Sequence, residues 1–230
     1  MKPLLVGLAF SALLTLAAAG ATVLGTVQAR GQSGSDPAGG GKYDSRKFKF
    51  AERVDYEALR DFVVYIEGPA DSNTTAAAKS VQVVTRRSVS QKGAAFSPHL
   101  LPVVVGTTVE WPNEDEIFHN VFSMSPAKEF DLGLYKKPEV KRVRFDKPGR
   151  ADIFCSIHSS MNCVVLVLEN QYFAATDEKG RYSIAEVPPG TYQLTAWHER
   201  LPARRQSITV NATGDVRVDF TLGPGGLPKE

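Results

Sequence analysis

The chain has 230 residues, enough for one large domain or two small ones, and 43% of them are hydrophobic while 23% are charged. This is the composition of an ordinary globular protein. The formal net charge is only +2, which excludes a chain with the strongly basic surface that nucleic-acid recognition requires.

The first 29 residues have the anatomy of a secretory signal. Lys2 supplies a positive start, and the apolar or small residues that follow carry no charge until Arg30. Cleavage is expected after Ala29, and a site nearer Ala21 is the alternative. Residues 3–28 are also long enough to cross the hydrocarbon core of a bilayer, about 30 Å, as an uncleaved anchor. Both interpretations predict export, with the folded part in the periplasm or a comparable compartment.

Residues 30–47 are rich in Gly, Ser, Asp and Pro and predict a flexible linker. Beyond them the chain is a series of β-branched and aromatic runs with no amphipathic helix of three or more turns. Short strands at intervals of about 8–12 residues predict an all-β sandwich or barrel. The predicted strands are 62–66, 81–85, 103–111, 140–145, 163–168, 172–176, 181–184, 191–197, 206–210 and 216–222.

Two local patterns sharpen this prediction. Residues 163–168 are continuously apolar, which fits a strand buried on both faces. Residues 177–180, Asp-Glu-Lys-Gly, lie between two strand candidates and predict a tight hairpin that closes at Gly180.

A compact set of soft and borderline metal ligands stands between two predicted strands. Cys155, His158 and Met161 have C-x2-H-x2-M spacing, so one short loop could wrap around a single ion. His119 follows a polar turn and is well placed to complete the set, and the side chain of Asn120 could tie the two loops together. One thiolate, two imidazoles and a weak thioether suit copper in both of its oxidation states.

The chain here resembles the cupredoxins, the small blue copper proteins that include amicyanin and plastocyanin. The resemblance covers about residues 81–168 and rests on separated motifs in the expected order. These motifs are Phe-Ser-Pro at 96–98, Val-Gly-Thr-Thr-Val at 105–109, Trp-Pro-Asn at 111–113, Phe-His-Asn-Val-Phe-Ser at 118–123, and the C-x2-H-x2-M loop, which is similar to that of amicyanin. It implies a Greek-key sandwich with one type 1 copper ion. His119, Cys155 and His158 would be its equatorial ligands, Met161 its axial ligand, and His158 its electron port.

A second resemblance lies in residues 172–222. The segments 175–184 and 187–194, with a Pro-Pro-Gly turn, are similar to the carboxypeptidase regulatory-like, or transthyretin-like, β-sandwich. That family begins with a strand that this stretch lacks, and residues 62–67, Phe-Val-Val-Tyr-Ile-Glu, look like the missing piece. We therefore expect the copper domain to be inserted into the second sandwich, with its two ends close together.

The predicted organisation follows from these two resemblances. It comprises a signal or anchor (1–29), a linker (30–47), strands that complete the carboxyl-terminal sandwich (48–70), the cupredoxin domain (78–169), the regulatory-like domain (170–224) and a tail (225–230).

The remaining cysteine, the two other histidines and the acidic turn are each expected to have a structural or surface role. Cys163 is expected to be a free, buried thiol, because a bridge to Cys155 would consume the thiolate that copper needs. His99 and His198 lack the context of ligands and are expected to be structural or surface residues. The acidic turn 114–116 is expected to be solvated, and entry of one of its carboxylates into the copper sphere is the alternative.

The sequence therefore predicts an exported type 1 copper electron carrier that docks to a redox protein such as a cytochrome or a dehydrogenase. A copper-binding or delivery protein without a redox role is the alternative. Delivery sites tend to be exposed and rich in Met or His, however, and this chain has three Met and four His. An enzyme is not expected, since four histidines are too few for a multicopper oxidase or a copper nitrite reductase, and no catalytic triad or carboxylate pair has a credible context.

Overall fold

The computed structural model describes residues 20–31, 55–68 and 87–223. These ranges consist of strands, turns and loops, and the all-β prediction with two sandwiches is confirmed. In none of them does a helix reach the length and hydropathy needed to cross a membrane. The predicted signal before residue 20, the linker from residue 32, the strand 81–85 and the tail 225–230 lie outside the described residues.

The strands of the described ranges are numbered in chain order. They are β1 (Ala21–Ala29), β2 (Val63–Ile66), β3 (Ser90–Gln91), β4 (Phe96–Ser97), β5 (Leu100–Val104), β6 (Thr107–Pro112), β7 (His119–Ser125), β8 (Lys128–Tyr135), β9 (Val140–Phe145), β10 (Gly149–Phe154), β11 (Asn162–Leu168), β12 (Phe173–Ala175), β13 (Arg181–Val187), β14 (Gly190–His198), β15 (Leu201–Val210), β16 (Val216–Arg217) and β17 (Phe220–Leu222).

Strands β3 to β11 form one sandwich, here called the central sandwich. Its main sheet has the order β5-β11-β10-β7-β8, and β6 pairs with β9 while β3 pairs with β4. Alternation places the apolar side chains of these strands between the layers, where Trp111, Phe145 and Ile153 are fully buried. The burial of such large side chains is the main stabilisation of this half of the molecule.

The remaining strands form a second sandwich, here called the flanking sandwich. One of its sheets contains β1, β13, β16 and β17, and the other has the order β12-β2-β14-β15. Its core includes Val23, Val64, Leu194 and Leu222, each fully buried. Strand β2 pairs antiparallel with both β12 and β14, so the central sandwich lies, in the chain, between two paired strands of the flanking sandwich.

Strand β1 is the main difference from the predicted organisation. The segment 1–29 was interpreted as a signal or anchor, yet Ala21–Ala29 pairs with β13 on one side and with β16 and β17 on the other. Its alternate side chains are buried, with Val23 fully buried and Val27 2% exposed. Small and β-branched residues suit a strand as well as the end of a signal, and only the partner strands distinguish the two. Cleavage after Ala29 would remove this strand, whereas cleavage nearer Ala21 would retain it.

Three smaller differences concern turns. The run 103–111 is divided between β5 and β6 by a turn at Gly106, whose φ is 87°. The turn at 177–180 is present, but β12 and β13 pair with β2 and β1 rather than with each other, so it is not a ladder hairpin. The run 216–222 is divided into β16 and β17. The predicted strands 140–145 and 163–168 agree with β9 and β11.

Strand β11 is buried on both faces, as its continuous apolar run predicted. One face, with Cys163, Val165 and Val167, belongs to the core of the central sandwich. The other face, with Leu166 and Leu168, packs against residues of the flanking sandwich. Strand β11 therefore contributes one face to the core of the central sandwich and the other face to the contact with the flanking sandwich.

Candidate metal centre

The four predicted ligands lie at the ends of strands of the central sandwich. His119 is the first residue of β7, Cys155 directly follows β10, and Met161 directly precedes β11. His158 lies in the loop between Cys155 and Met161. Backbone hydrogen bonds close this loop, from Cys155 N to Met161 O (3.1 Å) and from Met161 N to His158 O (3.0 Å). The loop is thus held in one conformation by its own backbone.

The donor atoms of His119, Cys155 and His158 converge. One donor atom of each residue lies within 4.8 Å of those of the other two. His119 Nδ1 is 3.1 Å from His158 Nδ1, and His158 Nδ1 is 3.7 Å from Cys155 Sγ. The fold therefore brings together residues as far as 39 positions apart in the chain.

These separations fit a shared metal ion. A first-row metal ion lies about 2.0 Å from an imidazole nitrogen and about 2.3 Å from a thiolate, so two such donors on one ion are about 3.3 to 3.7 Å apart at tetrahedral or trigonal angles. The observed 3.1 and 3.7 Å are close to that range. A set of one thiolate and two imidazoles, with a methionine at the end of the same loop, is the set that copper prefers.

Burial separates the site from water on most sides. His119 is fully buried, while Cys155 and Met161 are 6% and 1% exposed. His158 is only partly buried and forms the accessible edge of the cluster. Met161 belongs to the same core cluster as Cys155, and its place as a fourth donor stays a prediction.

Asn120 joins the two ligand segments, as the sequence predicted. Its backbone N–H points at Cys155 Sγ at 3.5 Å, and its Oδ1 accepts a hydrogen bond from Ser156 N at 3.3 Å. Its Nδ2 donates to Asp131 Oδ1 at 2.7 Å, which fixes the amide orientation. Asn120 thus contacts both the predicted sulfur ligand and the residue that follows it in the loop.

Asp115 is a site residue that sequence reasoning missed. The sequence predicts a solvated turn, or a carboxylate in the copper sphere as the alternative, yet Asp115 Oδ2 lies 2.8 Å from His119 Nε2, the ring nitrogen that faces away from the other donors. The carboxylate also accepts N–H groups of Gly93 and Ala94 at 2.8 and 3.0 Å. Partial burial by itself would raise the Asp115 pKa, but the hydrogen bonds from Ala94, Gly93 and His119 outweigh it and lower the pKa to about 2.

Cys163 is not bonded to Cys155, and both are free and buried. Burial, with a smaller contribution from the charge of Asp152, raises the pKa of the Cys163 thiol. A thiol with a raised pKa stays protonated and unreactive, so the predicted role of Cys163 as a small buried hydrophobe agrees with its surroundings.

The two other histidines lie outside the cluster. His99 Nε2 is 3.0 Å from Glu199 Oε1, a contact between the central and flanking sandwiches. His198 is 4% exposed, and its ring lies 5.0 Å from that of Phe62. Both are structural residues, as predicted.

Several residues next to the predicted ligands, in the chain or across a strand pair, have exposed apolar side chains. Phe118 and Ile157, the neighbours of His119 and His158 in the chain, are 49% and 52% exposed. Leu134, which pairs across the strands with Asn120, is 55% exposed. Together with Ile117, which is 51% exposed, these residues are here called the apolar rim.

Comparison with known family models supports the second resemblance. Residues 162–223 match the carboxypeptidase regulatory-like domain. A search of curated proteins finds no match.

Cupredoxins are among the similar solved structures. A Cu(I) amicyanin variant is 25% identical, with a TM-score of 0.33 over 35% of this chain and 79% of that one. A purple cupredoxin from Nitrosopumilus maritimus is 27% identical, with a TM-score of 0.31 over 35% and 97%. A Cu-containing nitrite reductase from Thermus scotoductus is 30% identical, with a TM-score of 0.35 over 36% of this chain and only 22% of that one.

The matched domain begins at Asn162, in β11. In the structure, however, the strand that pairs with β12 and β14 is β2, and β11 belongs to the central sandwich. The two strands have similar sequences, Phe-Val-Val-Tyr-Ile-Glu at 62–67 and Cys-Val-Val-Leu-Val-Leu-Glu at 163–169. The matched range therefore includes β11, which is a strand of the central sandwich, and leaves out β2, which is the strand that pairs with β12 and β14.

Proposed function

We propose that the chain is an exported type 1 copper protein that carries electrons, with one copper ion held by His119, Cys155, His158 and Met161. The observation that carries the proposal is the convergence of one sulfur and two imidazole nitrogens within 4.8 Å in a largely buried site. When bound, copper supplies a one-electron couple.

The residues around the site suit electron transfer because they hold the donors in place. The loop 155–161 is closed by backbone hydrogen bonds, and Asn120 joins it to β7. Electron transfer is fast when the ligands rearrange little between oxidation states, and a preformed donor set supports this. Four protein donors also leave no open position for a substrate, so we propose no catalytic activity.

His158 and the apolar rim suggest how a partner would dock. The partly buried imidazole gives the site its accessible edge, and the exposed Phe118 and Ile157 directly precede His119 and His158 in the chain. Small contacts of this kind are typical of transient redox complexes. We propose a redox protein such as a cytochrome or dehydrogenase as the partner, in the periplasm or a comparable compartment.

The proposal is tested by adding Cu(II) to the metal-free protein. We expect an intense absorption at about 600 nm from thiolate-to-copper charge transfer. Cys155→Ser should abolish this band, whereas the control Cys163→Ala, which removes the other buried thiol, should retain it. Reversible one-electron reduction, with transfer to a soluble c-type cytochrome as a probe, then tests the carrier role. A colourless protein that binds Cu(I) tightly would contradict it and favour copper delivery.

A further inference from the structure

The hairpin turn between β3 and β4 presents two consecutive backbone N–H groups to Asp115. Lys92 and Ala95 close this turn by mutual backbone hydrogen bonds, and Gly93 and Ala94 have φ angles of 62° and 54°. Left-handed conformation is natural for Gly93 but unfavourable for Ala94. Such consecutive N–H groups form a nest for an anion, and here the Asp115 carboxylate occupies it. Unfavourable backbone conformations persist at functional sites when the surrounding structure enforces them.

The backbone of Asp115 is fixed as well. Its N–H donates to Asn113 Oδ1 at 2.8 Å, and its carbonyl accepts from Lys137 N at 3.2 Å. Asn113 is 2% exposed and donates to Tyr135 O at 2.9 Å, which anchors the turn to β8. The backbone of Asp115 is therefore held by contacts with residues that are not predicted metal ligands.

The contact between Asp115 and His119 determines which ring nitrogen of His119 carries the proton. A carboxylate can only accept, so His119 Nε2 carries the proton and Nδ1 is left with its lone pair toward Cys155 and His158. The 3.1 Å contact between the two Nδ1 atoms then has the His158 ring as its donor in the metal-free protein. Metal-binding histidines commonly donate their second nitrogen to such an acceptor, which fixes the tautomer and the ring orientation.

We propose that Asp115, held by the Gly93–Ala94 turn, is a positioning residue that fixes the tautomer of His119 and lowers the reduction potential of the copper site. This inference rests on the proposed function. The fixed negative charge lies one imidazole ring away from the cation site. Because it stabilises a doubly charged cation more than a singly charged one, it favours the oxidised state.

The test compares Asp115→Asn with the matched control Glu116→Gln. Both variants remove one negative charge from the same turn, but the Glu116 side chain is 81% exposed and pairs with Lys137 rather than with a ligand. The asparagine keeps the shape of the aspartate, yet its amide nitrogen is a donor and must face one of three N–H groups. Circular dichroism is used first to check that both variants are folded.

Two measurements carry the test. Spectroelectrochemistry should give a higher reduction potential for Asp115→Asn than for Glu116→Gln, and Cu(II) affinity should fall roughly 10- to 100-fold in the former only. Nitrogen NMR of the metal-free wild-type protein should show His119 protonated at Nε2, and Asp115→Asn should give a mixture of tautomers.

Equal potentials and affinities in the two variants, or a wild-type His119 protonated at Nδ1, would overturn the inference. The NMR measurement on the wild-type protein needs neither copper nor a variant. A protein that binds no copper but shows the Nε2 proton would therefore refute the proposed function while leaving the positioning by Asp115 supported.

Discussion

Leu166 of β11 and Val63 of β2 belong to one buried apolar cluster, so the strand that follows Met161 also forms part of the junction between the two sandwiches. Around this contact, Arg150 donates to the backbone carbonyl of Glu199 at 2.9 Å and lies 5.9 Å from the ring of Trp197. The contacts combine apolar burial with directional polar pairs. The flanking sandwich is therefore fixed to the central one, and it supports the strand that follows Met161.

We first predict that Leu166→Ala lowers the free energy of unfolding by about 2–5 kcal/mol, because it leaves a cavity at the junction. Urea denaturation measures the loss. Leu134→Ala, at a 55% exposed position, is the control and should change stability by less than about 0.5 kcal/mol. A Leu166 variant as stable as this control would show that the junction is not a packed interface.

The second prediction concerns β1. A chain that begins at Gly20 keeps the pairing of Ala21–Ala29 with β13 and β17, whereas a chain that begins at Arg30 leaves both strands without this neighbour. We expect the first chain to unfold cooperatively and the second to be degraded rapidly in limited proteolysis, with cuts in the flanking sandwich. Mass spectrometry of the exported protein should place its amino terminus before Ala21. A mature, stable protein that starts at Arg30 would be inconsistent with the role of β1.

Third, replacement of the predicted axial ligand should change the potential more than the fold. Met161→Leu conserves the volume of a side chain that is 1% exposed and should cost less than about 1.5 kcal/mol. It removes a weak thioether donor, so the absorption at about 600 nm should persist and the reduction potential should rise. Visible spectroscopy and voltammetry measure these effects. An unchanged potential would mean that the Met161 sulfur is not a ligand.

The fourth prediction is a pH dependence that originates far from the metal site. Burial lowers the pKa of His198 from its usual 6.5, and the nearby charge of Arg200 acts in the same direction, while Glu199, the backbone carbonyl of Arg60 and Asp61 oppose the shift. The unfolded chain therefore binds more protons than the folded one between the lowered folded-state pKa and about pH 6.5. The stability contributed by neutral His198 is complete above that pH and is lost as the pH falls through the folded-state pKa.

His198→Gln removes this titration. Thermal melts of the metal-free proteins from pH 7.5 to 5 should show a smaller loss of stability on acidification in the variant than in the wild type. The histidines at 99, 119 and 158 are common to both proteins, so the difference between the two curves reports on His198. Parallel curves would contradict the assignment of a lowered pKa to this residue.

The sequence by itself determined the all-β class and the donor set of the candidate site. The predicted ligands Cys155, His158 and Met161 occupy one short loop of the sequence, so this part of the predicted set follows from local spacing. The strands 140–145 and 163–168 were also predictable, because alternation and continuous apolar runs are local properties of the chain. The position of Asn120, directly after His119, predicted its link between the two segments.

Only the tertiary structure decided the features that depend on a distant partner. Strand β1 looks like the end of a signal until β13, β16 and β17 are placed beside it. Asp115 looks like a solvated residue of an acidic turn until the Gly93–Ala94 turn and His119 surround its carboxylate. In both cases the local sequence is compatible with two environments: the end of a signal or a paired strand for β1, and a solvated or a hydrogen-bonded carboxylate for Asp115. Contacts with residues elsewhere in the chain select one of the two.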